Sequence, residues 1–190
     1  METLTKSEVQ IRRDELLQRI ADGEVFIHPT DTIYGLGCNA TDEKAVKAIR
    51  KLKERQDTAF SIWVPSKEWV LENCVVTKET QAWLDKLPGP YTVVVKIKNK
   101  SALAKSVNPI GDTVGIRLPS HWFSVMVERL GVPIVTTSAN RTGHMFMSNL
   151  EDLDEEIRKG VRFAIYEGEK KGKPSTIIDL VNGKVKDRVK

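Results

Sequence analysis

The hydrophobic positions along this chain follow two spacings, one typical of helices and the other typical of strands. Apolar residues recur at every third or fourth position in some segments, whereas short runs rich in Val, Ile and Thr make up others. The helical spacing predicts helices over residues 7–23, 41–52, 66–71, 78–87, 121–130 and 150–158. The β-branched runs predict strands over residues 24–27, 59–64, 91–98, 113–118, 132–137, 162–166, 176–181 and 184–189.

Polar residues and glycines mark where these helices begin and end. A Ser or Thr side chain can accept a hydrogen bond from an N–H group in the first helical turn. This preference predicts N-caps at Ser7, Thr41, Ser66 and Ser120. Gly23 is expected to end the first helix, and Asn182-Gly183 predicts a two-residue hairpin turn. Residues 1–190 are expected to form a single α/β domain with a mixed parallel and antiparallel sheet flanked by helices.

Composition places the chain among ordinary globular proteins. Of its 190 residues, 40% are hydrophobic and 29% are charged, and no apolar run is long enough to span a bilayer. Cys38 and Cys74 form no Cys-x-x-Cys pair, which is typical of core thiols in a reducing cytosol. No signal-peptide core is visible, so a cytoplasmic protein is expected. The net charge of +4 fits an anionic ligand such as a nucleotide or RNA, and surplus surface lysine explains it equally well.

The most polar stretch of the chain follows the first predicted strand. Pro29 ends that strand because proline has no N–H group for a sheet ladder. Three hydroxyls and a carboxylate then crowd together, contributed by Thr30, Asp31, Thr32 and Tyr34. Gly35 and Gly37 permit a positive φ or a close approach of the backbone to a ligand. A polar turn capped by glycines fits the same residues.

Two cations, Lys53 and Arg55, follow a helix that already has a basic face. In an extended chain, positions i and i+2 point the same way, so both cations could reach one anion. A lysine point charge and an arginine fork suit a triphosphate. Alternatively, both residues complement the negative C-terminal end of the helix.

Two further segments carry polar groups on or after apolar strands. Residues 136–140 (Thr-Thr-Ser-Ala-Asn) come at the C-terminal end of a predicted strand, where ligands of α/β proteins collect. A turn in which Ser138 and Asn140 bond their own backbone is the alternative. Arg117 lies on the short apolar strand Val114-Gly-Ile-Arg-Leu118 and needs a carboxylate or phosphate, supplied by the protein or by a substrate.

Taken together and in order, these segments resemble the YrdC family, specifically its single-domain, TsaC-type members. The matching segments spread from about residue 25 to residue 180. They are Pro29-Thr-Asp-Thr-Ile-Tyr-Gly-Leu-Gly37, Lys53-x-Arg55, Leu87-Pro-Gly-Pro90 with Tyr91-Thr92, Val114-Gly-Ile-Arg117, Thr137-Ser-Ala-Asn140 with Gly143, and Pro174-Ser-Thr-Ile-Ile-Asp179. Any one of them is a weak signal, whereas six in order are specific.

The resemblance implies a twisted mixed sheet around a deep basic cleft, without the extra C-terminal domain of two-domain relatives. It also implies a nucleotidyltransferase that makes L-threonylcarbamoyladenylate and pyrophosphate from L-threonine, bicarbonate or CO₂, and ATP. The product would pass to a tRNA threonylcarbamoyltransferase complex. Mg²⁺ would accompany the ATP without protein ligands of its own.

The same resemblance assigns roles to individual residues. The ATP-binding residues would be Lys53, Arg55, Thr113, Thr136 and Asn140, with Lys53 and Arg55 as the catalytic pair. The threonine-binding residues would be Thr32, Arg117, Ser138 and Ser175, with Arg117 on the carboxylate. A phosphoryl-type transfer needs positioning and charge neutralisation more than a protein nucleophile, which agrees with these residue types.

One segment departs from the family pattern. Relatives usually continue after Lys-x-Arg with Pro-x-x-Lys/Asn-Pro-Leu, whereas this chain has Gln56-Asp-Thr-Ala-Phe-Ser61. Val64 stands where some members have a threonine-contacting histidine. Arg55-Gln56 and Phe60-Ser61 are similar to the YciO branch, although Ser138-Ala-Asn140 favours the synthase. The alternatives are a YciO-like protein that binds RNA or nucleotide without synthase activity, and a noncatalytic partner of a tRNA-modifying complex.

Overall fold

The computed structural model describes residues 1–188 as one ten-stranded mixed sheet with helices on both faces. The strands are β1 (Glu2–Leu4), β2 (Phe26–His28), β3 (Gly35–Asn39), β4 (Ser61–Trp63), β5 (Tyr91–Lys96), β6 (Thr113–Arg117), β7 (Ile134–Ser138), β8 (Phe163–Ile165), β9 (Thr176–Asp179) and β10 (Lys184–Lys186). Their order across the sheet is β1-β8-β2-β3-β7-β4-β6-β5-β9-β10. Strands β1 and β2 pair with β8 in parallel, as do β4 with β6 and β5 with β9, and the remaining pairs are antiparallel. The predicted mixed sheet is confirmed.

Seven α-helices cover the two faces of this sheet unequally within residues 1–188. They are α1 (Lys6–Ile11), α2 (Arg13–Ala21), α3 (Glu43–Lys53), α4 (Lys67–Asn73), α5 (Lys78–Asp85), α6 (Ser124–Leu130) and α7 (Glu155–Gly160). Helices α3, α4, α5 and α7 pack on one face in the larger apolar cluster, which includes Ile62 and Ile116. Helices α1, α2 and α6 pack on the other face in a smaller cluster around Phe26 and Trp63. The smaller cluster covers only part of its face of the sheet, so the rest of that face can carry polar side chains.

Two of the four predicted helix caps lie at a different residue. Thr5, not Ser7, caps α1 and forms a capping box with Glu8. Asp42, not Thr41, caps α3, because its carboxylate accepts from the N–H groups of Lys44 at 2.8 Å and Ala45 at 3.1 Å. The Ser66 cap of α4 is confirmed, since its hydroxyl accepts from the N–H of Trp69.

The fourth predicted cap, Ser120, was wrong because the helix begins too far along the chain for the Ser120 hydroxyl to reach its first turn, and no side chain caps it. The Ser120 backbone N–H donates to Asp31 Oδ2 at 3.0 Å, and α6 begins only at Ser124. The helix predicted over residues 150–158 likewise begins later, because Asp154 caps α7 by accepting from two N–H groups of its first turn. The first predicted helix is divided at Arg12, which ends α1 and precedes α2.

The predicted hairpin is confirmed, but its turn is longer than two residues. The carboxylate of Asp179 accepts from the N–H groups of Val181 and Asn182, both at 3.0 Å, and so closes a wider loop between β9 and β10. The predicted end of the last strand, residue 189, lies outside the described residues. Strands β1 and β3 were not predicted. No helix within residues 1–188 is long and apolar enough to cross a membrane.

Gly35 and Gly37 do not have the positive φ that was one of their two expected roles. Both lie in β3. A Cβ on Gly35 would lie 2.6 Å from the His28 ring, and a Cβ on Gly37 would lie 2.8 Å from it. The two glycines therefore accommodate a buried imidazole, which also stacks on Phe123 with 5.7 Å between ring centroids. Burial lowers the pKa of His28 to about 3, so the ring is neutral in the folded protein.

The buried neutral His28 predicts a specific loss of stability in acid. In the unfolded chain this side chain has an ordinary pKa of about 6.5, so between about pH 6.5 and about pH 3 the unfolded state binds one proton more. The free energy of unfolding should then fall by about 1.4 kcal/mol for each unit by which the pH drops. In urea unfolding experiments on His28→Phe, the free energy of unfolding should fall less steeply as the pH drops. The slope should lack the contribution of one proton, because the variant has no imidazole to protonate.

An exposed histidine provides the control for this experiment. His144 is exposed, and His144→Gln should keep the slope of the wild-type profile. Parallel profiles for wild type and His28→Phe would show that His28 does not contribute to acid unfolding.

Candidate functional site

A cavity of about 220 Å³ lies on the sheet face that carries the smaller apolar cluster. It lies over β4, β5, β6 and β7, where most of the inward-facing positions are small or hydroxylated. They are Ser61, Thr92, Thr113, Gly115 and Thr136. The register places Ser61 directly opposite both Gly115 and Thr136. A Cβ on Gly115 would lie 2.8 Å from Ser61 Oγ and from Thr92 Cγ2, so this position must be glycine to keep the strands' side chains in place.

The charged groups of the cavity wall are all basic. Arg55, Arg117 and Arg188 line it, and its lining, all of it within the described residues, includes no Asp or Glu. Three guanidinium groups around a cavity with hydroxyls on its floor are suited to binding anions by charge-assisted hydrogen bonds. In residues 1–188, no group of three or more His, Cys, Asp or Glu side chains is arranged to hold a metal ion.

Arg117 is the most buried cation of this wall. It ends β6 and is 5% exposed. Its Nη2 donates to Asp31 Oδ1 at 3.0 Å and to Thr32 Oγ1 at 3.2 Å. Its Nε is buried and has no hydrogen-bond partner among the described residues. Burial lowers the pKa of Arg117 to about 10, which still leaves it charged at neutral pH.

The carboxylate that holds Arg117 is Asp31, a residue to which the sequence assigned no role. Besides Arg117, Asp31 accepts the backbone N–H of Ser120 at 3.0 Å. This second bond fixes the carboxylate between two chain segments. The position of Asp31 beside Thr32 in the polar loop was the one signal that pointed to it.

Thr32 lies behind Arg117 and is 7% exposed. Its hydroxyl is paired with that of Thr30 at 2.9 Å, and Thr30 in turn donates to the carbonyl of Ile33 at 2.7 Å. The polar loop therefore forms a hydrogen-bonded support for the guanidinium. The role of Thr32 as a contact of the substrate threonine stays a prediction.

Lys53 is placed differently from Arg55. It is the last residue of α3 and is 2% exposed. Its ammonium donates to the carbonyls of Ser138 at 2.6 Å and Asn140 at 2.7 Å, and to Asn140 Oδ1 at 3.2 Å. The extended arrangement expected for Lys53-x-Arg55 is wrong, because Glu54 between them is in the left-handed region with φ of 51°. Arg55 lines the cavity, whereas Lys53 lies behind it.

The environment of Lys53 affects its protonation in two opposing ways. Burial lowers the pKa of Lys53 to about 7, and the nearby charge of Arg55 contributes to the same shift. The three oxygen acceptors favour the ammonium form.

The contact between the end of α3 and the turn after β7 is reciprocal, because the N–H and hydroxyl of Thr142 donate to the carbonyl of Lys53 at 3.1 and 2.8 Å. The end of α3 and the turn after β7 are thereby tied together.

The segment after β7 contributes both wall and support. Thr136 and Ser138 line the cavity. The Ser138 hydroxyl donates to Asn140 Oδ1 at 2.6 Å, and Asn140 Nδ2 donates to the carbonyl of His144 at 2.6 Å. The turn alternative considered from the sequence thus applies as well, since the Asn140 N–H also donates to the Ser138 carbonyl at 2.9 Å.

Arg188 was not found from the sequence. Its Nη2 donates to Ser175 Oγ at 2.7 Å and its Nε to the Ser175 carbonyl at 2.9 Å. The Ser175 hydroxyl is also paired with Thr92 Oγ1 at 2.7 Å. Arg188 follows β10 in a segment whose sequence resembles an ordinary charged strand end. No local signal distinguishes it.

The nine residues predicted for the site therefore fall into two layers. The cavity is lined by Arg55, Thr113, Arg117, Thr136 and Ser138. The layer behind it consists of Thr32, Lys53, Asn140 and Ser175, each hydrogen-bonded to a lining residue. The structure brings all nine to one place, and the function of each stays a prediction.

This fold and this cavity define an α/β protein with a basic cavity on one face of a mixed sheet. The family model described as "Telomere recombination", which covers the Sua5, YciO and YrdC proteins, matches residues 18–187. The chain belongs to this family.

Individual relatives agree with this assignment. The chain is 35% identical over 173 residues to a Methanocaldococcus jannaschii protein assigned provisionally as a threonylcarbamoyl-AMP synthase, covering 90% of this chain and 81% of that one. It is 29% identical to a threonylcarbamoyl-AMP synthase of Vibrio campbellii, covering 90% and 96% of the two chains. Its fold is similar to that of P. abyssi Sua5 complexed with L-threonine, with a TM-score of 0.82 and 29% identity. That alignment covers 94% of this chain and 54% of the Sua5 chain.

The position of Lys53 predicts that it contributes to stability. Lys53→Met keeps most of the side-chain volume but leaves the Ser138 and Asn140 oxygens without their donor. The free energy of unfolding, measured by urea denaturation, should fall by about 1–3 kcal/mol, the usual cost of an unsatisfied buried polar group.

Lys44→Met, on the exposed face of the same helix, is the matched control and should change the free energy of unfolding by less than about 0.5 kcal/mol. Equal stabilities of the two variants would contradict a supporting role for the Lys53 ammonium.

Proposed function

We propose that this protein synthesises L-threonylcarbamoyl-AMP from L-threonine, bicarbonate or CO₂, and ATP, and releases pyrophosphate. The observation that carries the proposal is the basic cavity, in which the buried Arg117 guanidinium is held by Asp31 and keeps its Nε without a partner among the described residues. The names of the M. jannaschii and V. campbellii relatives support the same activity.

Arg117 binds the carboxylate of threonine in this proposal. A guanidinium has five N–H donors, and Asp31 and Thr32 accept only from Nη2, so the donors on Nη1 and Nε have no partner among the described residues. The similarity to Sua5 in its complex with L-threonine supports a threonine site in this fold. Ser138 lines the cavity and would orient the rest of the amino acid, whereas Thr32 would act from behind by holding the Arg117 guanidinium.

Arg55 and Arg188 bind the phosphates of ATP in this proposal. Both line the cavity, and both lack a carboxylate partner among the described residues. Thr113 and Thr136 add hydroxyl donors on the cavity floor. Mg²⁺ would come with the nucleotide, because the cavity lining offers no carboxylate that could hold the ion. When bound, the ion supplies charge neutralisation on the triphosphate.

The reaction then proceeds in two steps. The threonine nitrogen bonds to the carbon of CO₂ and loses a proton to solvent, which gives a carbamate. A carbamate oxygen bonds to the α-phosphorus of ATP, and the bond from that phosphorus to the α,β-bridging oxygen breaks with its electron pair leaving on pyrophosphate. The protein positions the two reactants and stabilises the developing charge, which requires no side-chain nucleophile.

The product is a mixed anhydride that a tRNA threonylcarbamoyltransferase complex consumes, and we place this step in the cytoplasm.

One observation supports a second candidate function. The segment 56–61 departs from the pattern of the synthases and is similar to the YciO branch. A nucleotide- or RNA-binding protein without turnover would use the same basic cavity, and its binding of RNA would weaken steeply with added salt.

A pyrophosphate-release assay separates these functions. Release should require ATP, L-threonine and bicarbonate together. L-Serine should replace threonine with a kcat/KM lower by about 10- to 200-fold, the usual discrimination for one methyl-sized group.

Arg55→Ala should lower turnover by about a hundredfold, because it removes a cation from the phosphate site.

Lys44→Ala, a charge change outside the cavity, is the control and should retain wild-type turnover. Pyrophosphate release that does not depend on the amino acid would identify a plain ATPase and reject the synthase. RNA binding without any release would support the second function.

A further inference from the structure

Arg50 makes an unusual set of contacts for a residue on a helix surface. The sequence placed it on the basic face of α3, but the structure half-buries it. Its guanidinium donates to five backbone carbonyls, all within 3.3 Å. They belong to Arg55, Gln56, Thr58, Ser106 and Val107.

These carbonyls come from two separate segments. Three belong to residues 55–58, in the loop between α3 and β4, and two belong to the short 3₁₀ turn Lys105–Val107 that precedes β6. Nε donates to the Ser106 carbonyl at 2.6 Å, Nη1 to the Gln56 carbonyl at 2.9 Å, and Nη2 to the Val107 carbonyl at 3.1 Å. One side chain therefore joins the two segments.

The first of these segments forms one wall of the cavity. Arg55, Thr58 and Ala59 line it, and the Arg55 guanidinium donates to the Ala59 carbonyl at 2.7 Å. Arg50 itself does not line the cavity. The Phe60 ring lies under both guanidinium groups, with Arg50 Cζ 4.4 Å and Arg55 Cζ 5.1 Å from its centroid.

The shape of this loop needs a central donor. Carbonyl dipoles that point at one place repel each other unless a cation lies between them, and loss of that cation would turn them towards water. This segment contains no proline and no strand that would set its path. The Phe60 N–H, which donates to the Val107 carbonyl at 2.9 Å, is a further contact between the two segments.

We propose that Arg50 is a positioning residue for nucleotide binding: it holds the loop at residues 55–59 so that Arg55 and Ala59 face the phosphates and the adenosine half of ATP. This inference rests on the proposed function for the identity of the nucleotide. Arg50 acts through the loop and does not touch the substrate. The threonine end of the cavity, around Arg117 and Asp31, is not among its contacts.

Arg50→Lys is the most informative variant. It keeps the positive charge, but an ammonium has three donors without the planar fork, so it cannot serve five carbonyls in two segments. The KM for ATP should rise by about tenfold to a hundredfold, the scale of a small misplacement of a binding group. The KM for threonine should change little. Arg50→Ala should show the same split.

Lys51→Ala is the control for charge, since Lys51 is exposed on the same helix. It should leave both KM values unchanged. Amide hydrogen exchange provides a readout that does not depend on turnover. The Phe60 amide should exchange faster in Arg50→Lys than in wild type, while amides of β6 should keep their protection.

Each outcome bears on the proposal. A wild-type KM for ATP in Arg50→Lys, or unchanged exchange at Phe60, would overturn it. An equal rise of both KM values together with a general loss of protection would show a structural role only and would also overturn it. If the wild type releases no pyrophosphate, direct binding of ATP by calorimetry replaces the KM comparison. Failure of the synthase proposal is thereby distinguished from failure of this one.

Discussion

The ion pair between Arg117 and Asp31 is the contact on which the organisation of the site depends. A guanidinium that is 5% exposed must be matched by anions, because an unpaired buried charge typically costs several kcal/mol. Asp31 satisfies one side of the group and is itself fixed by the Ser120 N–H. What remains is a charged, pre-oriented donor in the wall of a cavity. In the proposed function, the carboxylate of the substrate accepts hydrogen bonds from this donor.

The scaffold around this pair is built to keep it in place. β6 alternates apolar Val114 and Ile116 on the packed face with Thr113, Gly115 and Arg117 on the cavity face. The polar loop that carries Asp31 begins after His28, whose ring packs over the glycines of β3 and against Phe123. The register of a half-buried sheet thus places the charge, since a shift by one residue would exchange the two faces.

Several cations in or next to the cavity bind backbone carbonyls of the protein itself. Lys53 holds the turn at Ser138–Asn140, Arg50 holds the loop at residues 55–58, and Arg188 holds Ser175. Hydrogen bonds from charged donors contribute roughly 1.5–3 kcal/mol each, so these contacts can fix irregular segments that no strand orders. The basic character of the chain therefore serves the shape of the site as well as its charge.

Much of this organisation was predictable, for identifiable reasons. Runs of β-branched residues located the strands, as for the prediction 113–118 against the observed Thr113–Arg117, because the pattern is local. The motif residues converge because several follow or end sheet strands. Strand β1 could not be predicted, since three residues acquire their structure only by pairing with β8. The placement of Arg55 relative to Lys53 depends on the left-handed Glu54, and the role of Arg188 depends on the position of Ser175. Neither feature has a local sequence signal.

The central claim is that the Arg117 guanidinium, held by Asp31, receives the carboxylate of threonine. The most direct test is a ¹⁵N NMR titration that follows the Nε–H resonance of Arg117, assigned by its absence in Arg117→Lys. Added L-threonine should shift this resonance saturably, because a carboxylate bound by the guanidinium changes the electronic environment of Nε, whereas L-threoninol, which has no carboxylate, should leave it unchanged. Saturable binding of threonine, detected by calorimetry, without any change at Arg117 Nε would contradict the account.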